Sequence, residues 1–237
     1  RTCMRVESVD GEEMVSSGLR LAAGYRDESG PGDDEIIARA ARCQNIGDLS
    51  LLAWEDHDDL LVKIDQALNM IGIAPGDNSA FDASLGITTK DWKHSESWQI
   101  LTPTRIHAFG AAEINRVIHD RYRAREIGNA TNPYGRLPGP MGDQGIVIRD
   151  KVMQVVNQPK WLPKDSKGLR FVANGEIGLV TQSWKKKSKD DFDKMFVAFS
   201  TQPEAEYRYG KSEVKDGLEL AYALTVHKAQ GSDFGTA

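Results

Sequence analysis

The sequence predicts an α/β fold that carries an all-β unit inserted within it. Two observations lead there. Between residues 48 and 125, apolar strand-like runs end in turns and pass into amphipathic helices. After Gly128 the helical period stops, and short β-type runs separated by turns take over until Leu218, where a strand of the first kind returns.

Taken in order, residues 10–27 place Met14, Leu19, Leu21 and Ala22 near one helical stripe, with Glu12 and Glu13 where acids favour a helix start. Ser29-Gly30-Pro31-Gly32-Asp33-Asp34 breaks that helix, and residues 34–42 read as a short second one. Residues 49–54 read as a short strand. Residues 56–71 read as an amphipathic helix with Leu60, Leu61, Ile64, Leu68 and Ile71 on one face. Residues 72–97 are turn-rich and read as a loop. Residues 98–101 form a strand that ends in Thr102-Pro103-Thr104-Arg105, and a helix follows over about 108–125, with Ile114, Val117, Ile118 and Tyr122 at helical spacing. Repetition of strand, turn and helix predicts a parallel sheet. The Pro- and Gly-rich run from Asn132 to Pro140 ends helical structure. Strands over 152–156, 177–181, 195–199 and 206–209 then predict a small barrel.

Composition bounds the function. A length of 237 residues allows one large domain or two small ones, and 40% hydrophobic with 27% charged residues is ordinary for a globular protein. The formal net charge of -5 excludes a protein coated in basic charge, although a local basic groove remains compatible with it. No apolar run approaches a membrane span, and Arg1-Thr2-Cys3-Met4-Arg5 holds no signal core. Cys3 and Cys43 make neither a metal motif nor a disulfide framework, so a reducing cytoplasm is the simplest compartment. Asn129-Ala130-Thr131 matches a glycosylation sequon that nothing else in the chain supports.

The densest chemistry lies near the end of the sequence. There an apolar strand runs into Thr225, His227, Lys228, Gln230, Gly231, Ser232 and Asp233. A buried strand ending in hydroxyl, imidazole and ammonium donors beside a glycine suits a phosphate or a sugar–phosphate backbone. Ala221 to Phe234 reads AYALTVHKAQGSDF. It resembles motif V of superfamily 1 helicases of the RecD-like branch, whose pattern is close to A-Y-A-x-T-x-H-K-x-Q-G-S-E-F, with Asp233 in place of the usual Glu. Ile100-Leu101-Thr102-Pro103-Thr104-Arg105, with Gly110 and Ile114-Asn115 after it, resembles a strand–loop–helix of the family's second RecA-like domain. Asp150-Lys151-Val152-Met153-Gln154, Asn157 and Asn174-Gly175-Glu176-Ile177-Gly178 resemble the G-D-x-V-M-Q…N-G-E-x-G pattern of its inserted SH3-like domain, with Arg149 at the usual glycine. The resemblance covers about residues 48–237.

This resemblance implies a RecA-like parallel sheet over 48–139, an SH3-like β-barrel inserted over 140–218 and the motif V segment over 219–237. Residues 1–47 would be an N-terminal helical segment, with the start of the RecA-like domain as the alternative; Arg5 is then a candidate for an arginine near the γ-phosphate. The implied activity is that of the C-terminal motor half of an ATP-dependent DNA helicase, which translocates on DNA and unwinds it. Thr102, Arg105, Thr225, His227 and Lys228 would contact DNA, while Gln230, Gly231 and Asp233 would face ATP. For Thr102 and Arg105, a helix-start turn fixed by Pro103 is an equal reading. ATP and Mg²⁺ would serve the full-length protein, whose Walker loop would precede Arg1 and whose arginine finger would follow Ala237. The partners implied are single-stranded or duplex DNA, the N-terminal RecA-like domain, and a protein at the SH3-like domain. The rival reading is a non-catalytic helicase-like module that binds nucleic acid or protein.

Several further features have plainer readings. Gly210-Lys211-Ser212 has the ending of a P-loop, but Ala205 stands where its first glycine belongs and no helix is expected directly after it. A kinase of the P-loop type is disfavoured on the same ground. Lys185-Lys186-Lys187 and Lys189, followed by Asp190, Asp191 and Asp193, read as a solvated hairpin tip, with DNA contact as the alternative. Trp161, Trp184, Tyr207 and Tyr209 offer faces for base stacking or for packing in the β unit. The acids around His57 suit a helix N-terminus better than a metal.

Overall fold

A computed structural model of the chain describes residues 6–9, 12–15, 38, 39, 42, 44, 50–161, 169–189, 191–230 and 234–236. The chain divides into two units, Arg1–Ile64 and Asp65–Ala237.

In the first unit, β1 (Val6–Val9) pairs antiparallel with β2 (Glu12–Val15), Val6 opposite Val15 and Val9 opposite Glu12. Glu12 and Glu13 therefore lie in a strand and do not start a helix. The Asp-Gly dipeptide between two Val-containing runs is a two-residue hairpin signature that outweighs a loose helical stripe. The remainder of the expected helix over 10–27 lies outside the described residues, as does Arg5; residues 38 and 39 are helical. Residues 50–54 are irregular where a strand was expected. Helix α1 (His57–Met70) forms as the periodicity predicts and crosses from the first unit into the second. Its start is held reciprocally: Asp59 N–H donates to Asp56 Oδ1 at 2.9 Å, and Glu55 N–H donates to Asp59 Oδ2 at 3.1 Å. The acids beside His57 thus act as caps.

Helical structure also stands where a loop was expected. Residues 72–97 hold helix α2 (Asn78–Ser84) and a 3₁₀ turn (Trp92–Glu96). Asp77 caps α2 by accepting from Ser79 and Ala80 N–H at 3.0 and 2.9 Å. This short helix delivers Phe81 and Leu85 to the core, both fully buried. Phe81 stacks on Tyr122 at 4.1 Å and tilts against Trp98 and Tyr222 at 5.9 and 5.6 Å. Strand β3 (Ile100–Thr102) leads to α3 (Ala111–Tyr122), and α4 (Ala124–Thr131) continues what was read as one helix.

The fold is mixed α/β. Among the described residues its parallel strand pairing is β3 against β11 (Ala223–Thr225), with Ile100, Leu101 and Thr102 opposite Ala223, Leu224 and Thr225, and a single parallel bridge joins Trp98 to Thr236. The main sheet is antiparallel. It comprises β4 (Lys151–Gln154), β7 (Ile177–Trp184), β8 (Lys194–Phe199), β9 (Gln202–Gly210) and β10 (Leu218–Leu220), in the order β10-β4-β7-β8-β9. A separate hairpin joins β5 (Gln158–Trp161) to β6 (Leu169–Val172). Among the described residues the expected RecA-like parallel sheet is thus limited to two strands, and residues 50–54 supply no third. The expected barrel is an open sheet among the described residues, with β10 and β9 at its edges and unpaired to each other. Helix α5 (Lys211–Gly217) follows β9 directly, contrary to expectation. It does not make a P-loop of Gly210-Lys211-Ser212: the residues before it are strand, and Gly210 N–H is capped by Glu213 Oε2 at 2.8 Å.

The residues of the β-unit pattern are mostly structural. A Cβ on Gly178 would stand 2.4 Å from the Ala198 carbonyl oxygen, so the close approach of β7 to β8 requires glycine. Glu176 accepts from Ala173 N–H at 2.7 Å and Asn157 from Asn174 N–H at 2.8 Å, which closes the turn before β7. Buried Gln154 accepts from Tyr209 OH at 2.7 Å. Arg149 has φ 72, the left-handed region that glycine adopts without cost. Tyr207 and Tyr209 are fully buried, so they pack the sheet and offer no face to a base. Trp184 is partly exposed, and nothing is described of the Trp161 side chain. Lys186 and Lys187 N–H donate to Asp193 and Asp191 at 2.9 and 3.1 Å, so the acids after the lysine run fold the tip between β7 and β8.

Lys151 is fully buried and donates from Nζ to the Trp98 carbonyl at 2.7 Å. Burial lowers its pKa from 10.5 to about 7, against the attraction of Glu96. Between those values the unfolded chain binds a proton that the folded chain does not, so this group makes stability rise with pH across that window. Replacing Lys151 with Met removes the dependence. The stability of the variant relative to wild type should be greatest at or below pH 7 and fall toward pH 10.5 by about 1.4 kcal/mol per pH unit. Urea unfolding at a series of pH values measures this, and a pH-independent difference refutes it.

Candidate nucleic-acid interface

The ends of the two parallel strands create the site. After β3, residues 103–110 fold back under the start of α3: Thr102 Oγ1 donates to the Phe109 carbonyl at 2.8 Å, and Ala111 and Ala112 N–H donate to the carbonyls of Thr104 and Arg105 at 3.0 and 3.1 Å. A Cβ on Gly110 would lie 2.6 Å from the Arg105 carbonyl oxygen, so this tight return needs glycine. Arg105 is thereby fixed at the mouth of the strand pair with its guanidinium half exposed.

After β11 the chain makes one helical turn. Lys228 and Ala229 N–H donate to the Thr225 carbonyl at 2.9 and 3.1 Å. The turn carries Lys228 back over the strand end and leaves Val226, His227 and Gln230 exposed. Val226 N–H donates to the Thr102 carbonyl at 3.1 Å, extending the parallel ladder to the mouth of the site.

Both cations meet one carboxylate. Arg105 Nη2 lies 2.8 Å from Glu219 Oε1, and Lys228 Nζ lies 2.9 Å from Glu219 Oε2. Together with Ala111, Ala112, Asn115, Gln144 and Thr225 they line a cleft of ≈ 160 Å³. The first residues of α3, Ala111 and Ala112, line it, with their N–H groups committed to the Thr104 and Arg105 carbonyls.

Buried amides set the geometry behind the cleft. Asn115 donates to the carbonyls of Leu220 and Ala223 at 3.0 and 2.9 Å and accepts from Ala223 N–H at 2.8 Å. Gln99 donates to the carbonyls of Ala221 and Tyr222 at 3.1 and 2.9 Å. Gln144 accepts from Leu220 N–H. These bonds satisfy the backbone where it leaves the antiparallel sheet at β10 and enters the parallel pair at β11.

Of the residues read as DNA contacts, Arg105, Thr225 and Lys228 line one cleft, and His227 projects from the adjoining turn. Thr102 is buried, with its hydroxyl proton committed to the Phe109 carbonyl. Of those read as facing ATP, Gln230 is exposed; Gly231 and Asp233 lie outside the described residues. Among the described residues no cluster of His, Cys, Asp and Glu could hold a metal ion, and no helix is long and apolar enough to cross a membrane. Sequence reasoning missed Glu219 and Gln144. The signal for Glu219 was a lone carboxylate between buried Leu218 and Leu220.

No family model matches the chain. A stretch of 155 residues is 28% identical to an uncharacterized protein of Methanocaldococcus jannaschii, covering 59% of this chain and 12% of that protein. The chain therefore spans a small part of the relative's length, and the functional reading rests on its own residues.

The amide clamp should be visible in solution. Asn115→Leu leaves two carbonyls and one N–H without their partner, at a cost of roughly 2–4 kcal/mol. Amide exchange at Ala223 should accelerate more than at the β7–β8 ladder; equal acceleration at both would refute a local role.

Proposed function

We propose that this chain is part of the C-terminal motor half of a RecD-like superfamily 1 DNA helicase. In this reading β3, β11 and their flanking helices belong to the second RecA-like domain, and the antiparallel sheet is the counterpart of the SH3-like insertion. The chain supplies part of the single-strand-binding surface and one wall of an ATP cleft whose other wall is the N-terminal RecA-like domain. ATP and Mg²⁺ serve the assembled motor.

One observation carries this reading. The two segments that resemble helicase motifs lie more than a hundred residues apart in sequence, yet β3 and β11 pair in parallel and bring their C-terminal ends to one cleft. Loops at the C-terminal ends of parallel strands are where open α/β sheets bind ligands. Two cations and a threonine suit a phosphate of the strand backbone. The exposed His227 and Val226 on the adjoining turn extend that surface.

Fluorescence titration with single-stranded DNA tests the reading. Replacing Arg105 and Lys228 together by Ala should weaken binding at least about tenfold at low salt and reduce the slope of log K against log salt by roughly 1.4, from two lost phosphate contacts. Unchanged affinity and slope would remove the cleft from the DNA surface. A second outcome concerns chemistry: the sequence contains no G-x-x-x-x-G-K-[ST] loop, so the purified chain should show no steady ATP turnover with or without DNA. Sustained phosphate release would overturn that assignment.

A further inference from the structure

We infer that Glu219 is a specificity-determining counter-ion of the cleft, which sets its net charge to that of a single phosphodiester. The inference rests on the nucleic-acid reading above and adds a ligand class to it. Among the described residues, Arg105, Lys228 and Glu219 are the charged ones that line the cleft. Each carboxylate oxygen takes one cation: Oε1 holds Arg105 at 2.8 Å and Oε2 holds Lys228 at 2.9 Å. The two cations come from different segments, the return after β3 and the turn after β11, and both contact Glu219.

The charge balance decides the ligand. With Glu219 ionised, the three side chains sum to one positive charge. An internal phosphodiester carries one negative charge and matches it. Free phosphate and terminal phosphomonoesters carry about -1.5 to -2 near neutral pH and would leave the cleft negative. Each cation spends one N–H on Glu219 and keeps others, so a phosphodiester oxygen can be bound without expelling the carboxylate. Glu219 is three-quarters buried, which limits screening of its effect by water.

The test uses the 237-residue chain, an unphosphorylated single-stranded oligonucleotide, and inorganic phosphate as competitor. Glu219→Gln keeps the size of the side chain and removes its charge. It should tighten oligonucleotide binding about threefold to tenfold at low salt, steepen the salt slope by roughly 0.7, and make inorganic phosphate an effective competitor. Glu219→Asp keeps the charge and should keep the wild-type slope. Unchanged or weaker binding by a folded Glu219→Gln variant with an unchanged slope overturns the inference. Wild type gives an independent check that needs no variant: at equal ionic strength, inorganic phosphate should displace the oligonucleotide no better than chloride does, and specific displacement overturns the inference. Loss of binding in the Arg105→Ala, Lys228→Ala double variant, with no effect of Glu219→Gln, refutes the counter-ion role and leaves the interface standing. Lack of effect in both refutes the interface itself.

Discussion

The second unit is organised around one carboxylate that has no access to water. Asp150 is fully buried. Its Oδ1 accepts from Tyr222 OH at 2.8 Å, and its Oδ2 accepts from Val147 N–H at 2.7 Å. Arg123 Nε stands 3.7 Å away, and His119 Nε2 lies 3.0 Å from Oδ2 without the alignment of a hydrogen bond. Arg123 is itself buried and reaches Asp82 of α2 at 2.6 Å and the Arg149 carbonyl at 2.7 Å. Burial opposes its charge, but the carboxylates of Asp150 and Asp82 hold its pKa above the ordinary arginine value. Burial, then the Asp150 charge, raises the Tyr222 phenol well above its usual range, so it remains a donor. Removing one partner from such a cluster strands a buried charge, at a cost of roughly 3–5 kcal/mol. The cluster therefore fixes α2, α3, the bend before β4 and Tyr222 in one arrangement.

That arrangement has a consequence for the candidate interface. Tyr222 lies in the short connection between β10 and β11, where the chain passes from the antiparallel sheet to the parallel pair. Asp150 holds its side chain, while Gln99 and Asn115 hold the backbone on either side. A connection of two residues held on both sides transmits position: Glu219 on β10 and Thr225 at the end of β11 cannot shift independently. The candidate cleft is thus built on buried polar bonds, and its charged residues sit on a frame to which Asp150 contributes.

How much of this could be read from the sequence follows from where the physics is local. The helix over 57–70, the strand at Ile100 and the strands at Val152, Ile177 and Met195 rest on short-range periodicity, and they stand close to the expected limits. Helix α2 was missed because seven residues show too little period, although Asp77 before an apolar pair four residues apart, Phe81 and Leu85, was a legible cap signal. The pairing of β1 with β2 was missed because a helical stripe was preferred to the signal of an Asp-Gly dipeptide in the sequence. The antiparallel character of the main sheet was not legible, because strand direction depends on pairings between distant residues. For the site, Arg105, Thr225 and Lys228 were legible as donors after strands. Glu219 was not, because its importance comes from two cations over a hundred and nine residues away in sequence respectively.

The residues that carry the family resemblance divide into two kinds. Gly178, Glu176, Gln154 and Asp150 bend, close or anchor backbone, and their roles here are fully described by the fold. Arg149 makes the same point by exception: it holds the left-handed conformation of a glycine and offsets that cost with ion pairs to Asp82 and Glu126 at 3.0 and 3.3 Å. Such residues bear on architecture and say little about chemistry. Arg105, Thr225, His227 and Lys228 differ, because the fold does not need them to be donors; a loop and a turn of the same shape could carry apolar or neutral side chains. The inference to a phosphate ligand rests on this second kind alone. It gains force because two of them, reached by separate segments, were brought within reach of a single carboxylate by bonds that belong to the first kind.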